Sequence, residues 1–455
     1  LTDAEAAAHF TLFNQARMLG DASDGIAAVL AAMLQSPHFL YRPELGGKLS
    51  GGQVTLTPWE VASRLSYFLW GSMPDAALFS AAETNQLGSA QQVGLQVQRM
   101  LTDSRARQGT NDFFRQWLGI DQVLNVTKDQ AVYPAWNDGL AVAMREEGYR
   151  FTQHVVFDAD GRLGSLFTST EGIVNGPLAQ LYGVAITGSD WQPVSTAGLN
   201  RMGILTQGWF LAGRARPGES SPARRGAFVR ERLFCQQVPP PPANVDPAPP
   251  PPLPGSTTRE RYQQQLVNPA CAACHQFFDG FGFAFEHYDG IGAFRAADNG
   301  KPIDSTGRID ATDVDGTVAD APDLIKRLSE SGQVRDCVAT RWYELAVGRQ
   351  VDEMNDCRVR EVTRLFRGGQ GNLRELLLLI ATDYARRPRL AGEVASPLGA
   401  PLISNPNDRR SVQKMVLDLI STQIVQLRQR LSLPDDRLRL DQHLDGVREL
   451  EKRLQ

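Results

Sequence analysis

Cys271-Ala272-Ala273-Cys274-His275 is the stretch on which the reading of this chain turns. Two thiols at this spacing reach the two vinyl groups of a haem while the adjacent imidazole meets the iron. With 5 cysteines in 455 residues and 6 histidines, chance would produce the pattern roughly 0.0007 times per chain. A structural zinc site needs four nitrogen or sulfur ligands, and no second paired-ligand motif is present. A redox dithiol would sit in a βαβ context, which the sequence does not offer. The motif therefore predicts one covalent haem c, held by Cys271 and Cys274, with His275 as proximal iron ligand.

Working outward, the second axial position has three candidates: His287, twelve residues after the motif, Met354 and Met202. A filled sixth position favours electron transfer, and an open one admits small ligands. Each candidate also has an ordinary reading, as core-filling methionine or surface histidine. Arg295 and Arg349 are candidates for pairing with the haem propionates as bidentate donors. Tyr343, with Trp342, either lines the haem pocket or belongs to the aromatic core. Asp304, Asp310, Asp313 and Asp315 share a glycine-containing loop that departs from the twelve-residue calcium pattern and reads as turn-rich surface.

Covalent haem attachment implies a secreted protein, periplasmic or at the cell surface, where disulfides also persist. Cys235, Cys337 and Cys357 then permit one bridge and one free thiol. Cys337 and Cys357 flank one expected helix, which favours their pairing; three buried thiols are the alternative.

Helical periodicity runs through most of the chain. It appears over Asp3 to Met18, over Asp24 to Leu34, and from a capped start at Thr57-Pro58-Trp59-Glu60 to Trp70. Further helices are expected near Gln91 to Leu101, Thr110 to Leu118, Leu140 to Val156, Ala321 to Ser329, Gln333 to Val347 and Leu373 to Tyr384. Residues 239–254 hold ten prolines and must be extended, as a linker or as a strap along the haem domain. After a loop, Ser411 to Leu431 and a last helix with Leu440, Leu444, Val447, Leu450 and Leu454 on one face read as a hairpin with an apolar seam. Five segments are expected: helical domains at 1–50 and 51–198, a haem-binding domain at 199–300, a helical domain at 301–390 completing the haem region, and a linker with hairpin at 391–455.

Lysine plus arginine number 47 against 51 acidic residues, so no general attraction to nucleic acid arises. No apolar run approaches the roughly 20 residues of a transmembrane helix. The chain begins at Leu1 without a signal segment, as expected of a processed or trimmed mature chain.

Several short motifs in order resemble the planctomycete-type cytochrome c-like family, large secreted bacterial proteins assembled from uncharacterised domains. Ser36 to Glu44 is similar to the end of the family's first helical domain. Ala62 to Trp70 with Met73-Pro74-Asp75 resembles the start of the second, and Val174-Asn175 with Leu181-Tyr182-Gly183 its close. Gly203 to Thr206, Ser221-Pro222, Arg225-Gly226, Val229-Arg230-Glu231 and Cys235 stand in the order of its haem domain. Asn268-Pro269 precedes the motif there, and Gly282-Phe283, Phe285-Glu286, Tyr288-Asp289 and Ile291-Gly292 follow it. Arg335 to Arg349 is similar to the last family domain.

The resemblance covers residues 1 to about 390. It implies secretion, one haem and a mainly α fold, a multidomain helical protein with a class I-like cytochrome c haem domain, and is silent on substrate. Residues 408–455 resemble a different secreted family whose members accompany these cytochromes. They are expected to be a natural fusion or a companion-protein segment, and to contact a companion secreted protein or a second copy of the chain.

Three functions fit: an electron-transfer protein serving a redox partner protein, a haem redox enzyme of peroxidase or oxygenase type with an open sixth position, or a structural surface protein. One haem without an identifiable distal base suits electron transfer better than catalysis.

Overall fold

A computed structural model describes residues 3–34, 44, 49–50, 53–240, 250–251, 254–267, 269–351 and 356–390. The described chain is mainly helical, with short two-residue to four-residue strands between helices. Thr57–Arg387 forms one compact unit, and the described parts of Leu1–Leu56 and Pro388–Gln455 form another. The expected segments 199–300 and most of 51–198 and 301–390 thus lie within a single unit.

Local sequence accounts for the entry into the larger unit. Thr57 Oγ1 accepts the Glu60 N–H, and the Glu60 carboxylate accepts the Thr57 N–H at 2.7 Å, closing a reciprocal cap in front of helix Pro58–Trp70. The helix stops at Gly71, whose φ of 63° lies in the left-handed region. Its buried Val61, Leu65, Phe68 and Leu69 feed the core. Buried Arg64 donates to the carbonyls of Tyr384 and Arg387 at 2.7 and 2.8 Å, tying this helix to the end of helix Leu373–Arg386.

The expected helices near 91–101, 110–118, 321–329, 333–347 and 373–384 are realised as Ala90–Leu101, Ser104–Leu118, Ala321–Glu330, Gly332–Val347 and Leu373–Arg386. That near 140–156 is Asp138–Gln153, running into a π-helical turn at His154–Asp158. Distant segments share one aromatic core: Trp342 of helix Gly332–Val347 stacks on Phe113 of helix Ser104–Leu118 at 3.7 Å between ring centroids and meets Phe68 edge-on. Together these rings bury the large apolar areas that dominate core energetics.

In the smaller unit, helices Asp3–Leu19 and Ala22–Leu34 pack together. An antiparallel three-stranded sheet there has Gln53–Val54 between Leu49–Ser50 and Arg389–Leu390. Most of the 239–254 strap, Met354 and the hairpin over 411–455 lie outside the described residues.

Candidate haem attachment site

The Cys271-Ala272-Ala273-Cys274-His275 motif occupies helix Pro269–His275, which follows helix Thr258–Val267 and packs beside it. Cys271 and Cys274 lie three residues apart, which on a helix puts them on one face. Both are half-buried and neither forms a disulfide. The His275 imidazole approaches a second helix, Asp279–Phe283. Its Nδ1 lies 3.1 and 3.0 Å from the two carboxylate oxygens of Asp279. This contact occupies Nδ1 and leaves Nε2 available as a ligand atom. Asp279 is buried, 1% exposed. Burial pushes its carboxyl pKa up, against the pull of the facing His275.

Asp279 was not among the sequence candidates. The helix Pro269–His275 stops at His275 and the chain turns over residues 276–278 before Asp279 opens the next helix, so no continuous helical spacing announces the pairing.

The backbone beneath this pair is held closely on two sides. A Cβ on Gly282 would lie 1.8 Å from the Pro222 carbonyl oxygen, and one on Gly226 would lie 1.9 Å from that of Phe278. Helices Pro222–Phe228 and Asp279–Phe283 therefore meet backbone to backbone. Gly280 approaches Arg308 equally closely from the hairpin Gly307–Ile309/Gly316–Val318. Arg225, fully buried, donates to the carbonyls of Phe285, Tyr288, Leu211 and Asp289. Burial lowers its pKa to about 10, still cationic at neutral pH. Arg230 Nε donates to the Phe277 carbonyl at 2.9 Å, fixing the chain just after the motif.

The donor set fits a covalent haem: two unpaired thiols on one helical face and an imidazole with one nitrogen engaged by Asp279. Val267 and Phe277, within four residues of the motif in sequence, are 82% and 44% exposed. Among the described residues no group of three or more His, Cys, Asp or Glu side chains is placed to hold a metal ion directly.

The other sequence candidates have different surroundings. Arg295 donates to Asp298 at 2.9 Å and to buried Glu286 and Ser220, each at 3.2 Å, so its charge is committed to protein carboxylates rather than held ready for a propionate. Arg349 is exposed beside the Gly348 turn. Tyr343 is a core residue whose hydroxyl donates to Asp383 at 2.9 Å; burial pushes its pKa up, and the Asp383 charge pushes it further. His287 Nδ1 donates to the Arg295 carbonyl, and its ring stacks on Phe294. Met202 is half-buried, with its backbone N–H on Thr206 Oγ1.

The acidic loop is consumed by turns and caps. Asp313 accepts from Ser331, Gly332 and Gln333 at the start of helix Gly332–Val347, and Asp315 accepts from Ala311 and Thr312.

The expected Cys337–Cys357 bridge is replaced by Cys235–Cys337, with Cα atoms 5.5 Å apart. Cys337 does not flank a helix: it lies buried within Gly332–Val347. Cys357 opens the next helix, Cys357–Gly368, as an exposed free thiol. Cys235 follows the π-helical turn Val229–Leu233 and stands at φ 55°, turning the chain towards the proline-rich segment.

Four family models match in order, each described as a protein of unknown function: DUF1595 over residues 1–44, DUF1592 over 56–184, DUF1588 over 201–298 and DUF1585 over 315–385. The chain belongs to the planctomycete-type cytochrome c-like multidomain family. The DUF1588 match contains the attachment motif, Asp279 and Arg225, and three of the four matched segments lie essentially within the compact unit Thr57–Arg387. No curated protein and no solved structure matches the chain. Among the described residues no helix is long and apolar enough to cross a membrane.

Proposed function

We propose that this family member is a secreted mono-haem c-type cytochrome that relays single electrons to a protein partner. The observation that carries the reading is the pairing of two unbridged thiols with an anchored imidazole on helix Pro269–His275. Cys271 and Cys274 would hold the group and His275 Nε2 would ligate its iron. When bound, the haem supplies a one-electron ferric/ferrous couple. The chain's own part is to orient the imidazole through Asp279, cover the ring edge with apolar side chains and present the site to a partner. Residues 199–300 are read as a class I-like haem domain because the motif lies there. Secretion is supported by the chemistry of haem attachment and by the Cys235–Cys337 bridge, both suited to an oxidising compartment. The partner is a redox protein, with a companion secreted protein or a second copy engaged through residues 411–455.

Intact-mass measurement after expression with a c-type haem attachment system tests this. The expected mass is that of the chain plus one haem, lost from Cys271→Ala/Cys274→Ala, with a low-spin ferric spectrum. A chain that acquires no haem overturns the proposal. High-spin iron that rapidly takes up cyanide or azide replaces electron relay with the catalytic reading.

A further inference from the structure

The group beneath the motif is an aspartate side chain, where a single neutral acceptor oxygen would be enough to orient the ring. Asp279 sets both carboxylate oxygens near His275 Nδ1, at 3.1 and 3.0 Å, in an environment where the acid is 1% exposed. A hydrogen bond to an ionised acceptor in such surroundings is stronger than one to a neutral carbonyl. It also draws the Nδ1 proton towards oxygen, which raises the electron density at Nε2. The acid cannot easily swing away, because its helix is pinned by the Gly282–Pro222 and Gly280–Arg308 backbone approaches.

Resting on the haem reading above, we propose that Asp279 is a positioning residue that makes His275 a strongly donating ligand and thereby holds the bound iron's potential low, favouring the ferric state. Fixing the proton on Nδ1 selects the ring form whose Nε2 lone pair is free. The negative charge across the ring then stabilises the more positive iron. A backbone carbonyl in the same place would orient the ring without this second effect.

The test compares wild-type holoprotein with Asp279→Asn by spectroelectrochemical titration, after mass measurement has established one covalent haem in each. Asparagine keeps the shape and an acceptor oxygen but removes the charge. The midpoint potential of the variant is expected to rise by at least a tenfold change in the ferric-to-ferrous ratio, about 59 mV for one electron. An unchanged or lower potential in a fully loaded variant overturns the inference while leaving haem attachment intact. If the variant does not accumulate, the wild type alone decides: its ferrous iron–histidine stretch, read by resonance Raman after photolysis of bound carbon monoxide, is expected above that of a cytochrome whose histidine bonds a backbone carbonyl. A stretch at or below that reference also overturns the inference. Failure of the wild type to carry haem instead strikes the functional proposal.

Discussion

Cys235 and Cys337, 102 residues apart in sequence, are joined by a disulfide that closes a loop containing all of Cys271 to His275. The bridge links the end of the π-helical turn Val229–Leu233 to the middle of helix Gly332–Val347, so the segment carrying Cys271 to His275 is held at both ends of a covalent ring. Peptide mapping without reduction is expected to recover Cys235 linked to Cys337, with Cys357 alkylated. Replacing Cys337 by alanine should lower stability by about 2–5 kcal/mol, the usual cost of opening a native bridge. A Cys337–Cys357 peptide in the map would contradict the structure.

The long helices were legible because their periodicity and caps are local properties. Thr57 and Glu60 declare a helix start within four residues, and the structure realises it. The bridge was not legible, since it depends on which face of helix Gly332–Val347 meets the segment ending at Cys235, a tertiary fact with no sequence period. The same holds for Asp279: the motif names the thiols and the imidazole, whereas the group behind the imidazole depends on how the chain turns after Phe278. Short helices such as Pro222–Phe228 and Asp279–Phe283 escape periodicity because they form within a tightly packed glycine-rich contact rather than on an amphipathic stripe.

That glycine contact gives a sharp prediction. An added Cβ at Gly282 or Gly226 meets a carbonyl of the opposing backbone at under 2 Å, and backbone cannot rotate away as a side-chain tip can. Gly282→Ala and Gly226→Ala are each expected to cost at least about 1–3 kcal/mol in thermal or denaturant unfolding. Gly164→Ala, in helix Leu163–Thr168 with nothing within 4 Å of the new carbon, should be neutral or slightly stabilising. Equal effects at the three positions would refute the close approach.

Arg225 supports the same region through its guanidinium fork, which serves four carbonyls that lie on two chain segments. Lysine retains the charge but offers three donors from one atom, so it cannot span the same carbonyls. Arg225→Lys should therefore destabilise by at least about 2 kcal/mol, because buried carbonyls lose partners. Measured at neutral pH, a variant as stable as the wild type would show that charge rather than fork geometry is what the site uses.

The last prediction concerns pH. Glu147 is buried in helix Asp138–Gln153, where the Tyr182 hydroxyl donates to its carboxylate at 2.7 Å and in turn accepts the Gly208 N–H at 2.7 Å. Burial pushes its pKa from 4.5 to about 7, against the lowering influence of Tyr182, Arg201 and the Gly208 amide. Between these two values the folded state holds the proton that the unfolded chain has released, so raising the pH across this window destabilises the fold. The loss begins near pH 4.5, is complete above about 7, and is on the order of 3 kcal/mol. Glu147→Gln preserves an acceptor for Tyr182 but cannot ionise. Thermal unfolding midpoints of wild type and variant, compared from pH 5 to 8, should diverge up to about pH 7 and then run parallel, with the wild type having lost ground. Parallel profiles would mean that Glu147 is already ionised throughout, its charge carried by Arg201, whose guanidinium lies 3.8 Å from the Tyr182 ring centre.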